Sequence, residues 1–160
     1  MTLSVEFSVR SALWRGLPRH KAIARETVAA CVAETALEVR GGAEVSLLLA
    51  DDQELRALNA QWRGIDKPTN VLSFPSVSSG ETKSLRALGD IALAYETLAR
   101  EADQAGISLK DRYRHLVVHG FLHLIGYDHE ADEEAERMET LEKRVLARFG
   151  VADPYAVTDS

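Results

Sequence analysis

His119-Gly120-Phe121-Leu122-His123-Leu124-Ile125-Gly126-Tyr127-Asp128-His129 closes an apolar run that begins at Val117 and carries two histidines four residues apart. On a helix, such a pair lies on one face, one turn above the other. Two imidazoles so placed can reach one ion at the ~2.0–2.1 Å that zinc prefers. Gly126 lacks a Cβ and can end the helix in a left-handed conformation, after which the chain turns and His129 can return to the same ion. Three neutral nitrogens would leave a fourth position open for water, the layout of a catalytic rather than a structural site. The plainer alternative is two ordinary side chains on one helix face. Buried imidazoles in an apolar helix need partners, however, and a metal supplies one. His115 is a further four residues upstream and precedes the apolar stretch, so it fits a supporting or surface position better than a ligand's.

Working outward, residues 109–125 and 95–105 read as helices, and 130–148 as a charged amphipathic helix. GDIALAY, 89–95, is a strand or a strand-to-helix junction, and NVLSF, 70–74, is strand-like. Residues 63–70 are rich in turn formers around Pro68, and the polar stretch 76–86 reads as a mobile loop. A helix over 52–62, capped by Asp51 or Asp52, would place Leu55, Leu58 and Trp62 on one face. EVSLLLA, 44–50, is a buried strand. Residues 18–38 form a helix with an apolar stripe through Ala24, Val28, Cys31, Val32 and Ala36, with Ile23 and Leu37 on another side. Gly41-Gly42 ends that unit, and Leu3, Val5, Phe7 and Val9 alternate as in a first strand. The expectation is an α+β fold: about four strands in a mixed sheet with packed helices, and the histidine pair on a central helix. Residues 1–150 would form a single metallohydrolase domain and 151–160 a loose tail.

The 160 residues suit one domain. With 46% apolar and 28% charged residues, the chain is neither disordered nor fibrous. A net charge of −6 excludes a generally basic coat for nucleic acid but leaves room for a local groove. Residues 1–25 carry five basic side chains against Glu6 alone, whereas residues 126–160 carry ten acids and four bases. That asymmetry suits either two solvated helix faces or a basic face for an anionic partner. Cys31 is the lone cysteine, read as buried and inert. No signal pattern or membrane-length apolar run is evident, so a cytoplasmic location is expected.

The histidine and glycine spacing matches the metzincin zinc motif except that Gly120 stands where those proteases carry their glutamate base. That argues against a metallopeptidase. Met138, in the charged helix, does not read as a Met-turn.

HGFLHLIGYDH resembles the HGxLHLxGYDH signature of the YbeY family of bacterial metal-dependent endoribonucleases. Trp62-Arg63-Gly64-Ile65-Asp66-Lys67-Pro68-Thr69-Asn70-Val71-Leu72-Ser73-Phe74-Pro75 is similar to that family's YRxxDxPTDVLSFP block, and Leu88-Gly89-Asp90-Ile91 to its LGDI block. Trp62 and Asn70 depart from the tyrosine and aspartate of that pattern. The resemblance implies an α/β sandwich, with His119, His123 and His129 as ligands of one Zn2+ and Arg63 as the functional arginine. Three histidines also suit other divalent transition ions. The activity implied is single-strand-specific endoribonuclease cleavage in 16S rRNA 3′-end maturation and ribosome quality control, with the ribosome or its small subunit and associated proteins as partners.

The residues alone allow Arg63 to be a phosphate fork or an ordinary helix-ending arginine. Lys67 is a lesser phosphate candidate. Asp128 can hydrogen-bond a ligand imidazole or cap a turn, and Tyr127 suits packing. The alternatives to a nuclease are a metallopeptidase and a non-catalytic ribosome-assembly factor with a structural metal. An acidic protein acting on RNA would bind free RNA weakly and depend on the ribosome or a partner for placement.

Overall fold

The computed structural model describes residues 3–37, 43–75, 87–127 and 131–155. Its strands are β1 (Ser4–Val9), β2 (Glu44–Ala50), β3 (Val71–Pro75) and β4 (Ala87–Ala94). Its helices are α1 (His20–Thr35), α2 (Asp52–Arg63), α3 (Tyr95–Ala105), α4 (Leu109–Leu124) and α5 (Asp132–Ala147). The mixed four-stranded sheet expected from the sequence is present, in the order β1-β2-β4-β3. β1, β2 and β4 run parallel, and β3 pairs antiparallel with β4 at one edge. The expected loop over 76–86 and the break at Gly41-Gly42 lie outside the described residues.

The two sheet faces are covered unequally. Val5, Val45, Leu47, Leu49, Ile91 and Leu93 enter one large core with Val28 of α1, Val117 and Phe121 of α4, and Val145 of α5. Each fully buried leucine or phenylalanine there contributes ~1.5–3 kcal/mol relative to exposure. The other face buries a smaller cluster of Ala50, Leu72, Ala92 and Ala94 under Leu55 of α2. Strand register places Phe74, Asp90, Ser46 and Glu6 side by side across the sheet. Phe74 packs against the α2 cluster, so this partly polar row belongs to the same face.

α1 starts at His20 rather than residue 18 because Arg19 takes a left-handed backbone (φ 63°) that interrupts the first turn. Ile23 is buried and Leu37 packs against the core, so the region buries more than one side, as its sequence implied. Cys31 is wholly buried, and burial pushes its thiol pKa well up, leaving it protonated and inert. Trp14, in a 3-10 turn (Ala12–Gly16), is also wholly buried, and its indole N–H donates to Ala50 O at 2.8 Å.

α4 is capped by Ser108, whose Oγ accepts from the Asp111 N–H at 3.1 Å. Leu116, Val117, Val118, Phe121, Leu122 and Leu124 are all buried, so it is apolar on nearly every side and lies within the molecule. Gly120 sets how closely it approaches the sheet. A Cβ there would lie 2.8 Å from Ile91 Cγ2 and 3.2 Å from Ser73 Oγ. Ser73 Oγ donates to Gly120 O at 2.9 Å, tying the helix to β3. The position that holds the protease glutamate therefore faces the sheet here, with no room for a longer side chain. Gly120→Ala should lower the denaturant midpoint. Overpacking by ~1–3 kcal/mol should outweigh the ~1 kcal/mol that alanine adds to helix propensity. A midpoint equal to the parent's would show that Ile91 gives way instead.

Candidate active site

α2 delivers the first side chain. Asp51 caps it by accepting from the Glu54 N–H at 2.9 Å, and Arg63 occupies its last turn. Gly64 then adopts a left-handed conformation (φ 69°), allowing its N–H to return to Ala60 O and that of Ile65 to reach Asn59 O. Asn59, itself buried, donates through Nδ2 to Lys67 O at 3.0 Å, and Arg56 grips Asp66 at 2.7 Å and 3.2 Å. These contacts hold residues 64–67 against the helix end. Arg63 lines a cavity of about 960 Å3 together with Trp62, Ser73, Asp90, His119 and His123. Lys67 is exposed and is not among the lining residues.

α4 delivers the histidines. His119 and His123 stand one turn apart with Nε2 atoms 3.2 Å from each other. Behind them lies Glu142 of α5, with no exposed surface. Its carboxylate accepts from His115 Nε2 at 2.7 Å, from His119 Nδ1 at 3.2 Å and from the Tyr155 hydroxyl at 2.7 Å. Burial alone would raise its pKa, but these hydrogen bonds outweigh burial and hold it at about 2. An ionised carboxylate accepts only, so His119 donates from Nδ1, and in the neutral ring Nε2 then carries its lone pair toward the cavity. Such a carboxylate–imidazole pairing orients the ring and raises the basicity of its other nitrogen, as it does where an imidazole binds a metal. Two convergent imidazole nitrogens, one fixed as a lone-pair donor, fit a divalent transition ion. Gly126 has φ 105° and its N–H returns to His123 O at 3.2 Å, so α4 ends as the glycine suggested. His129 and Asp128 lie outside the described residues.

The polar chain continues outward from Glu142 through His115. Arg112 Nη1 meets His115 Nδ1 at 3.0 Å, and its Nη2 donates to Glu101 at 2.7 Å. Glu101 accepts from Asn70 Nδ2 at 3.0 Å. His115 thus stands behind the cavity-facing pair, buried, rather than at the surface. The basic residues near the amino terminus gather elsewhere, with Arg10, Arg15, Arg19 and Lys21 around a separate cavity of about 600 Å3.

A family profile described as Endoribonuclease YbeY matches residues 17–150. The chain belongs to the endoribonuclease YbeY family. A Bradyrhizobium sp. relative named Endoribonuclease YbeY is 48% identical over 157 residues, which cover 96% of this chain and 92% of that one. The Bradyrhizobium diazoefficiens protein of the same name is 52% identical over 155 residues, 94% of this chain and 84% of its own. The solution structure of TM1509 from Thermotoga maritima shares the fold, with a TM-score of 0.50 and 23% identity over 98% of this chain and 100% of that one.

Three side chains around this cavity escape a reading from sequence. Glu142 is a charged residue among the buried Met138, Leu141 and Val145, and that conflict with the apolar stripe is the signal that could have found it. Arg112 and Tyr155 carry no such mark. Met138 packs in the core and takes no part in the site. Asn70 has a clear local reason, because its amide donates to Glu101. Asn70→Asp would set two carboxylates face to face, destabilising the protein by about 1–3 kcal/mol at neutral pH. The introduced acid's pKa would be raised, so the loss should shrink toward about pH 5 as it protonates. Urea melts at both pH values check this; a loss independent of pH would refute the carboxylate clash.

Proposed function

We propose that this protein is a single-strand-specific, metal-dependent endoribonuclease in which His119, His123 and His129 hold one Zn2+ and Arg63 acts on the scissile phosphate. The observation that carries this reading is the convergence of the histidine pair and Arg63 on one cavity. Membership in the endoribonuclease YbeY family supports the reaction, and neither the metallopeptidase nor the assembly-factor alternative has comparable support.

When bound, the metal supplies Lewis acidity toward a phosphate oxygen and toward water. The remaining chemistry belongs to the chain. Breaking a P–O bond builds negative charge on the phosphoryl oxygens, and a guanidinium presents a rigid fork of donors to such oxygens. Arg63 forms no ion pair among the described residues, so its charge is not already committed. Glu142 holds His119 in the tautomer that leaves Nε2 unprotonated. Single-stranded RNA, whose unstacked bases can splay, suits a recess of this kind.

The proposed substrate is ribosomal RNA, cleaved in 16S rRNA 3′-end maturation and in ribosome quality control, in the cytoplasm. No helix among the described residues is long and apolar enough to cross a membrane. The net charge of −6 supports placement by the ribosome or its proteins rather than by strong affinity for free RNA.

Metal content and cleavage of a structured rRNA fragment, measured on the parent, His123→Ala and Arg63→Glu, test this directly. His123→Ala should lose metal and cleavage together. Arg63→Glu should keep the metal and lose cleavage by about a hundredfold or more. Cleavage at the parent rate by a metal-free His123→Ala protein would sink the mechanism, and full activity in Arg63→Glu would remove that residue from it.

A further inference from the structure

α2 ends with an unusual exposure. Leu55 is fully buried, but Trp62 on the same helix is 64% exposed. Large aromatic rings are normally withdrawn from water, and this one is not isolated. It lines the cavity that holds Arg63 and the histidine pair. Phe74 of β3 props the indole at 6.3 Å between ring centroids with the planes at 62°, leaving most of the ring accessible. Beside Phe74 in the sheet stands Asp90, whose carboxylate would repel a phosphate from that floor.

The cavity therefore divides by chemistry. Arg63 favours an anion at one part, while Trp62 and Phe74 offer apolar π-surface at another. A nucleotide has the same division, a charged phosphate joined to a flat base. We propose that Trp62, supported by Phe74, is a nucleobase-stacking platform that seats one base of a single-stranded substrate beside the phosphate held at Arg63. This rests on the cavity being the RNA site. It makes Trp62 a positioning residue, and its departure from tyrosine enlarges the stacking surface. Stacking accepts any base, so the platform fixes where the strand lies without dictating sequence.

The protein carries its own probe. Its two tryptophans are Trp14, wholly buried, and Trp62. Acrylamide quenching thus reports on Trp62 almost alone. The ligand is a single-stranded 2′-O-methyl oligoribonucleotide, whose blocked 2′-hydroxyls let binding be followed apart from cleavage, compared with a version carrying abasic positions. With the metal-loaded parent, the base-containing strand should quench Trp62 and shield it from acrylamide, and the abasic strand should bind about tenfold more weakly. Trp62→Phe should keep most of that preference. Trp62→Leu should bind both strands at the abasic level while retaining metal content and melting temperature.

Trp62→Leu still preferring the base-containing strand tenfold would overturn the platform, as would unchanged acrylamide access on binding. The outcomes separate from those of the proposed reaction. A protein that stacks bases but cleaves no rRNA fragment would leave the platform standing and remove the nuclease reading. One that cleaves with no base-dependent shielding of Trp62 would do the reverse.

Discussion

Glu142 has no contact with solvent, and yet it remains ionised because His115, His119 and Tyr155 all donate to it. A buried charge without such partners would cost several kcal/mol and would protonate instead. Its three donors come from α4 and from the segment after α5, so one carboxylate fixes the packing of α5 on α4, the seat of Tyr155 and the tautomer of His119. His119 faces its cavity in a defined way because of what stands behind it.

That arrangement needs α4 close to the sheet, and Gly120 makes the approach possible. One residue of the signature therefore acts through shape and its neighbours through chemistry. His119 and His123 point to the cavity, while Gly120 points to Ile91 and Ser73. The same geometry separates the protein from the peptidases whose spacing it shares, since the side of the helix that would bear a base is pressed against β3 and β4.

The sequence made the elements legible where one periodicity dominated. EVSLLLA is a short apolar run between turn formers, read as a buried strand, and it forms β2 over Glu44–Ala50. The helical spacing of His119 and His123 placed them on one face, and their Nε2 atoms meet. Strand order was not legible, because the parallel neighbours are joined by crossovers whose path depends on tertiary packing. The exposure of Trp62 was not legible either. Helical spacing puts Trp62 in line with Leu55, but the last turn of α2 stands over the open cavity on the sheet, so the same stripe runs from core to exposed surface. Glu142, Arg112 and Tyr155 belong to a network whose members are far apart in the chain, and no local pattern announces such a partnership.

The spread of that network has a consequence for the life of the chain. Arg63 belongs to the second helix, the histidines to the fourth, and their carboxylate to the fifth, with Tyr155 later still. Synthesis and folding proceed from the amino terminus. A growing chain thus carries its imidazoles for some time before the group that orients them has emerged. An endoribonuclease is synthesised amid RNA, and this layout leaves His119 without its orienting carboxylate until the fifth helix has emerged.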